Sequence, residues 1–118
     1  MSRIIRTRFS QMRNRVTFLE EISSGPEAGG GDLEEVFSCA CAVEEVSLKD
    51  FEVLGLSTGK KYITIITRNN WKTFQPQHFH QFQLRDGFMK DKIYNVKEVS
   101  ALPQTREQYI KIVGEQSE

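Results

Sequence analysis

The sequence has no apolar run long enough for a transmembrane helix, and its first residues lack the hydrophobic core of a signal peptide. A soluble chain, made inside a cell and without membrane contact, is expected. Net charge is also missing: sixteen basic residues balance sixteen acidic ones, so no overall field draws in nucleic acid or membrane. Cysteine is scarce. Cys39 and Cys41 lie two apart in an apparent strand, on one face and about 7 Å apart, which disfavours a bond between them. With no disulfide framework, a reducing compartment fits. No glycine-rich phosphate loop opens a helix, because Gly29-Gly30-Gly31 lies between two strand patterns. At 118 residues the chain allows one domain with a modest core.

The charge that is present is unevenly placed. Arg3, Arg6, Arg8, Arg13 and Arg15 fall in the first fifteen residues, which hold no acid. From Val16 to Glu52 there are ten acidic residues and only Lys49 to oppose them. Such a split suits complementary contacts with neighbouring chains.

The stretch from Val36 to Arg68 organises the rest. Phe37, Cys39, Cys41 and Val43 alternate with Ser38, Ala40, Ala42 and Glu44, the period of a strand with one apolar face. Lys61 to Arg68 is β-branched or aromatic at nearly every position, a second strand signal. Between them, Glu45 to Lys60 is too long for a tight hairpin turn. Ser47 with Asp50 is a relative of the capping box, Leu48, Phe51 and Leu54 recur at three-residue spacing, and Gly55 is a stop signal. About two turns of helix are therefore expected from Ser47 to Leu54, or a hairpin tip ordered in an assembly.

Elsewhere, Arg15 to Ile22 reads as the first strand and Ser23 to Asp32 as a loop. The second strand begins at Leu33 and runs to about Glu45. Further strands are expected over His78–Leu84, Lys92–Val99 and Gln108–Gly114, with turns at Arg85-Asp86-Gly87 and Leu102-Pro103-Gln104. The first twelve residues allow a flexible arm or a short helix. Six strands with few helical patterns predict a mainly β fold: a small six-stranded antiparallel barrel or sandwich with a long loop or short helix between strands 2 and 3. The expected division is an N-terminal basic arm over 1–12, a barrel domain over 13–115 and a tail over 116–118.

Chemistry is thin. Cys39 and Cys41 with His78 and His80 offer four zinc-type ligands, but their spacing is not that of a knuckle, which converges two cysteines through a turn. The histidines are expected on a half-exposed strand face. No local motif supplies a cysteine nucleophile with a base and an oxyanion donor. Neither an enzyme nor a cofactor is expected. Tyr62, Trp71, Phe74, Phe79, Phe82 and Tyr94 are candidate stacking surfaces for single-stranded nucleic acid, yet few basic residues interleave with them.

The order of these pieces resembles the phage head-tail joining family, the head-closure or stopper connector proteins of long-tailed bacteriophages. Met12 to Phe18 resembles its opening basic strand, and Asp32 to Glu45, after a glycine-rich loop, its acidic turn and second strand. Val46 to Glu52 stands where that family places a loop. Lys61 to Arg68 resembles its third strand, and Ile93–Val99 with Arg106 and Tyr109–Val113 its closing hairpin. Where the family often has a tryptophan early in the second strand, this chain has Phe37 and Cys39.

The resemblance implies a structural virion protein, found in the virion and in the host cytoplasm during assembly. It implies a homo-oligomeric ring, six- or twelve-fold, below the portal or adaptor ring and above the tail terminator or tail tube. Double-stranded DNA would pass through without sequence-specific binding. Within that picture the loop is a candidate gate: Glu44, Glu45, Asp50 and Glu52 would repel phosphates, while Phe51, Leu54 and Leu56 would close the channel against their symmetry mates. Arg3, Arg6, Arg8, Arg13 and Arg15 would contact the neighbouring ring. The alternatives are a tail-completion (tail terminator) protein and a small nucleic-acid-binding barrel.

Overall fold

The computed structural model describes residues 12–22, 32–46, 48–56, 59–70, 72–85, 92–102 and 108–117. Its strands are β1 (Asn14–Ile22), β2 (Asp32–Glu44), β3 (Tyr62–Arg68), β4 (Gln81–Leu84), β5 (Ile93–Ala101) and β6 (Tyr109–Gln116). A six-residue helix, α1 (Leu48–Val53), lies between β2 and β3. Every pairing is antiparallel, in the order β1-β2-β3-β6-β5-β4, and β4 returns to pair with β1. Of the two expected architectures, closure of the ring selects the barrel.

Alternation sets what faces inward. Val16 and Phe18 of β1, Cys41 of β2, Ile63 and Ile65 of β3, Phe82 and Leu84 of β4, Tyr94 and Val96 of β5, and Ile110 and Ile112 of β6 form one buried cluster. Burying a side chain of this size contributes about 1.5–3 kcal/mol, and this shared interior is the main force holding the six strands together. β3 is buried on both faces, with Thr64 and Ile66 also covered. That explains why it reads as a continuous β-branched run.

Gly114 sets the spacing inside the barrel. A Cβ at this position would fall 2.6 Å from Phe82 Cε2 and 3.0 Å from Tyr94 Cβ. These two rings stack at 5.3 Å between centroids, so only a residue without a side chain lets β6 pass beside them.

The expected fourth strand is shorter than its sequence suggested, because His78 and Phe79 form a turn and pairing starts at Gln81. The reason is local. The His80 amide donates to the Gln77 carbonyl at 3.0 Å, and the Gln77 amide donates to His80 Nδ1 at 2.9 Å. Two bonds that a ladder would need are spent on closing the turn. His80 is accordingly buried, not half-exposed on a strand, while His78 is exposed.

One part leaves the barrel. The β1–β2 register shifts after Phe18↔Phe37, so that Leu19 meets Glu35 and Val36 is the extra residue of a bulge. β4 accompanies β1 only from Val16 to Leu19, and β3 accompanies β2 only from Ala42 to Glu44. Beyond Leu19 the two strands therefore run on as a two-stranded ribbon, and Asp32 to Val36 are all exposed.

Candidate functional site

The candidate loop sits at the end of the barrel opposite the ribbon, joining the last residue of β2 to the first of β3. Its helix is closed by a complete stop signal. Gly55 takes φ 63°, its amide donates to the Glu52 carbonyl at 3.2 Å, and the Leu56 amide donates to the Phe51 carbonyl at 3.1 Å. This paired arrangement is the Schellman motif, for which the glycine supplies the left-handed residue. The expected stop at Gly55 is thus observed, and the helix starts at Leu48, within a residue of the expected cap.

The loop is anchored at one point and exposed at others. The Phe51 ring meets Tyr62 edge-on at 5.9 Å, which ties α1 to the start of β3. Phe51, Leu54 and Leu56 are each half-buried, whereas Glu45 and Glu52 are exposed and Glu44 is half-buried at the end of β2. Asp50 lies on α1 between Lys49 and Phe51. Among the described residues of the loop the most exposed apolar one is Val53, at 72%. Sequence reasoning followed the three-residue apolar spacing through Phe51 and Leu54 and passed over it.

Of the five expected inter-ring arginines, Arg13 and Arg15 are exposed at the start of β1, where Arg15 Nε donates to Ser38 Oγ at 3.0 Å. Arg3, Arg6 and Arg8 lie outside the described residues. So does Trp71, and of the remaining stacking candidates only Phe79 is exposed, at 65%. Phe82 and Tyr94 are core, while Phe74 stacks on Phe37 at 5.0 Å and plugs the ribbon end of the barrel.

The cysteines face the barrel interior. Burial pushes the Cys39 thiol up to about 11, with Arg15 pulling weakly the other way, and the Cys41 thiol up to about 12. Both are therefore protonated and poorly nucleophilic at neutral pH. His80 is held by Gln77 on one nitrogen and approaches Glu20 Oε1 at 3.4 Å with the other. Among the described residues no three His, Cys, Asp or Glu converge as a metal site, and no helix is long and apolar enough to cross a membrane.

Sequence reasoning also treated the acidic second quarter as one region. The structure divides it, placing Glu20, Glu21, Asp32, Glu34 and Glu35 on the ribbon and Glu44, Glu45 and Glu52 at the opposite end. The strand periods carried the signal for this division, but the bulge that launches the ribbon has none.

A barrel with a capped loop, and with no metal-type cluster among the described residues, is compatible with several roles, and comparison with known proteins decides among them. A model of the phage head completion protein family matches residues 7–117. The chain belongs to this family. Head completion proteins are structural components of the virion, so the chain works through contacts with other head and tail proteins of the phage particle. No curated protein matches it. Its fold is similar to the solution structure of protein SF1141 from Shigella flexneri 2a, with a TM-score of 0.68 and 15% sequence identity. That match covers 91% of this chain and 94% of the other, and at such identity it speaks to the barrel alone.

Proposed function

We propose that this head completion protein is a connector subunit. It forms a ring below the portal or adaptor ring, closes the DNA-filled head, and presents the surface on which the tail docks. In this reading residues 13–115 are the connector domain and residues 1–12 are an arm whose arginines, with Arg13 and Arg15, meet the ring above. The chain acts in the virion and is recruited from the host cytoplasm during assembly.

The loop from Glu45 to Lys60 is the gate. The observation that carries this is its construction: a short helix stopped by Gly55 and fixed by Phe51 on Tyr62, with Val53 exposed beside Glu52. Long ordered loops on a rigid scaffold are commonly where function resides. Carboxylates facing a lumen repel phosphate and keep DNA from adhering, while exposed apolar side chains give neighbouring loops something to bury against each other. The experiment deletes Leu48 to Ser57 and assays assembled heads. Loss of packaged DNA is expected, and heads that keep their DNA normally would rule out the gate.

A further inference from the structure

Among the described residues the ribbon is an unpartnered surface. Glu20 stands directly opposite Glu34, and Glu21, Asp32 and Glu35 complete five carboxylates within the ladder from Leu19 to Ile22, which contains no basic residue. Like charges placed directly across an antiparallel pair are destabilising. Ile22, Leu33 and Val36 are exposed among them, at 38%, 39% and 37%. Along its outer edge, β2 has no ladder partner among the described residues from Asp32 to Cys41. This edge bears neither lysine nor proline; its carboxylates and the Val36 bulge guard it against pairing with its like, which leaves a partner of opposite charge as the one it suits.

The opposite end of the barrel carries the complement. There an open groove of about 510 Å³ is lined by Lys60, Lys61, Asn95, Glu115 and Gln116. Lys60 Nζ lies 3.5 Å from one oxygen of Glu115 and Lys97 Nζ 3.9 Å from the other, so two ammonium groups share one carboxylate; with Lys61 also lining the groove, three positive charges stand against one negative. Lys60, Lys61 and Lys97 are all exposed.

We propose that the ribbon of one copy docks in the lysine groove of a second copy. The inference rests on the ring reading and names the contact between its subunits. A head-to-tail ring requires two different, mutually complementary faces on each subunit. Ribbon and groove are opposite in sign, sit at opposite ends of the barrel, and so both stay available when copies join in series. Docking brings ammonium groups to the Glu20–Glu34 pair and covers Leu33 and Val36.

The test uses the full chain in two charge-reversed forms, Glu34→Lys/Glu35→Lys and Lys60→Glu/Lys61→Glu. All four positions are exposed, so each form is expected to keep the wild-type circular dichroism spectrum. In sedimentation equilibrium at low salt the wild type is expected to self-associate, and each variant alone to do so on the order of tenfold more weakly. An equimolar mixture of the two is expected to recover association, because each offers the sign that the other's reversed face requires. A wild type that stays monomeric at millimolar concentration, or a mixture no better than its parts, overturns the contact. Imaging of assembled heads separates the two readings: rings that persist with either variant overturn the contact and leave the ring, whereas wild-type heads without a ring overturn the ring itself.

Discussion

His80 Nδ1 accepts a hydrogen bond from the Gln77 amide at 2.9 Å, which fixes the proton of the neutral imidazole on Nε2, facing the Glu20 carboxylate at 3.4 Å. Protonating Nδ1 would set one donor against another. Burial beside Phe74 and Phe79 also disfavours the charge, so burial holds the pKa below its ordinary 6.5, with Glu20 pulling the other way. Because the unfolded chain then binds the proton more readily than the folded one, stability is full above about pH 6.5 and falls as pH drops from there toward the folded pKa. Urea unfolding between pH 7.5 and 5 is expected to show this decline. Glu20→Gln is expected to deepen it by removing the one group that favours the cation.

Gly114→Ala is expected to cost about 1–3 kcal/mol, since the new methyl meets the Phe82 ring and overpacks the barrel. Shortening the neighbour tests the cause. Gly114→Ala combined with Phe82→Leu should lose less than the sum of the two single changes, read from denaturant midpoints.

Gly55→Ala forces a side chain into a left-handed conformation with open space around it, so strain rather than collision sets the cost, about 1 kcal/mol. The effect is expected to be local. Amide exchange at Gly55 and Leu56 should accelerate while exchange in β3 and β6 stays unchanged.

Val53→Asp is expected to leave stability within about 0.5 kcal/mol, because the residue is largely exposed. DNA retention by assembled heads is nevertheless expected to fall, since the change places a further charge in the proposed gate, which is built on apolar contact. Unchanged retention would remove Val53 from the gate.

Most of the barrel was legible in the sequence because its strands obey one of two simple patterns. β1 alternates in burial through Phe18, β2 alternates in sequence from Phe37 to Val43, and β3 is almost uniformly β-branched because both its faces are buried. The helix and its end were legible from Leu48, Phe51, Leu54 and Gly55, since a glycine stop leaves a local mark. The start of β4 was not. His78-Phe79-His80 looks like strand composition, and only the side-chain bond from His80 to Gln77 turns it into a turn. The ribbon was equally hidden, because where β1 outruns β4 depends on the length of a strand sixty residues away in sequence.

The filled interior has a plain geometric consequence. Phe18, Phe82, Ile65 and Ile112 occupy the centre of the barrel, and Gly114 is there because nothing larger fits. A six-stranded barrel this narrow is a plug, not a pipe. In the proposed ring a double helix would therefore run alongside each subunit, and the width of its passage would be decided by how many subunits stand around it.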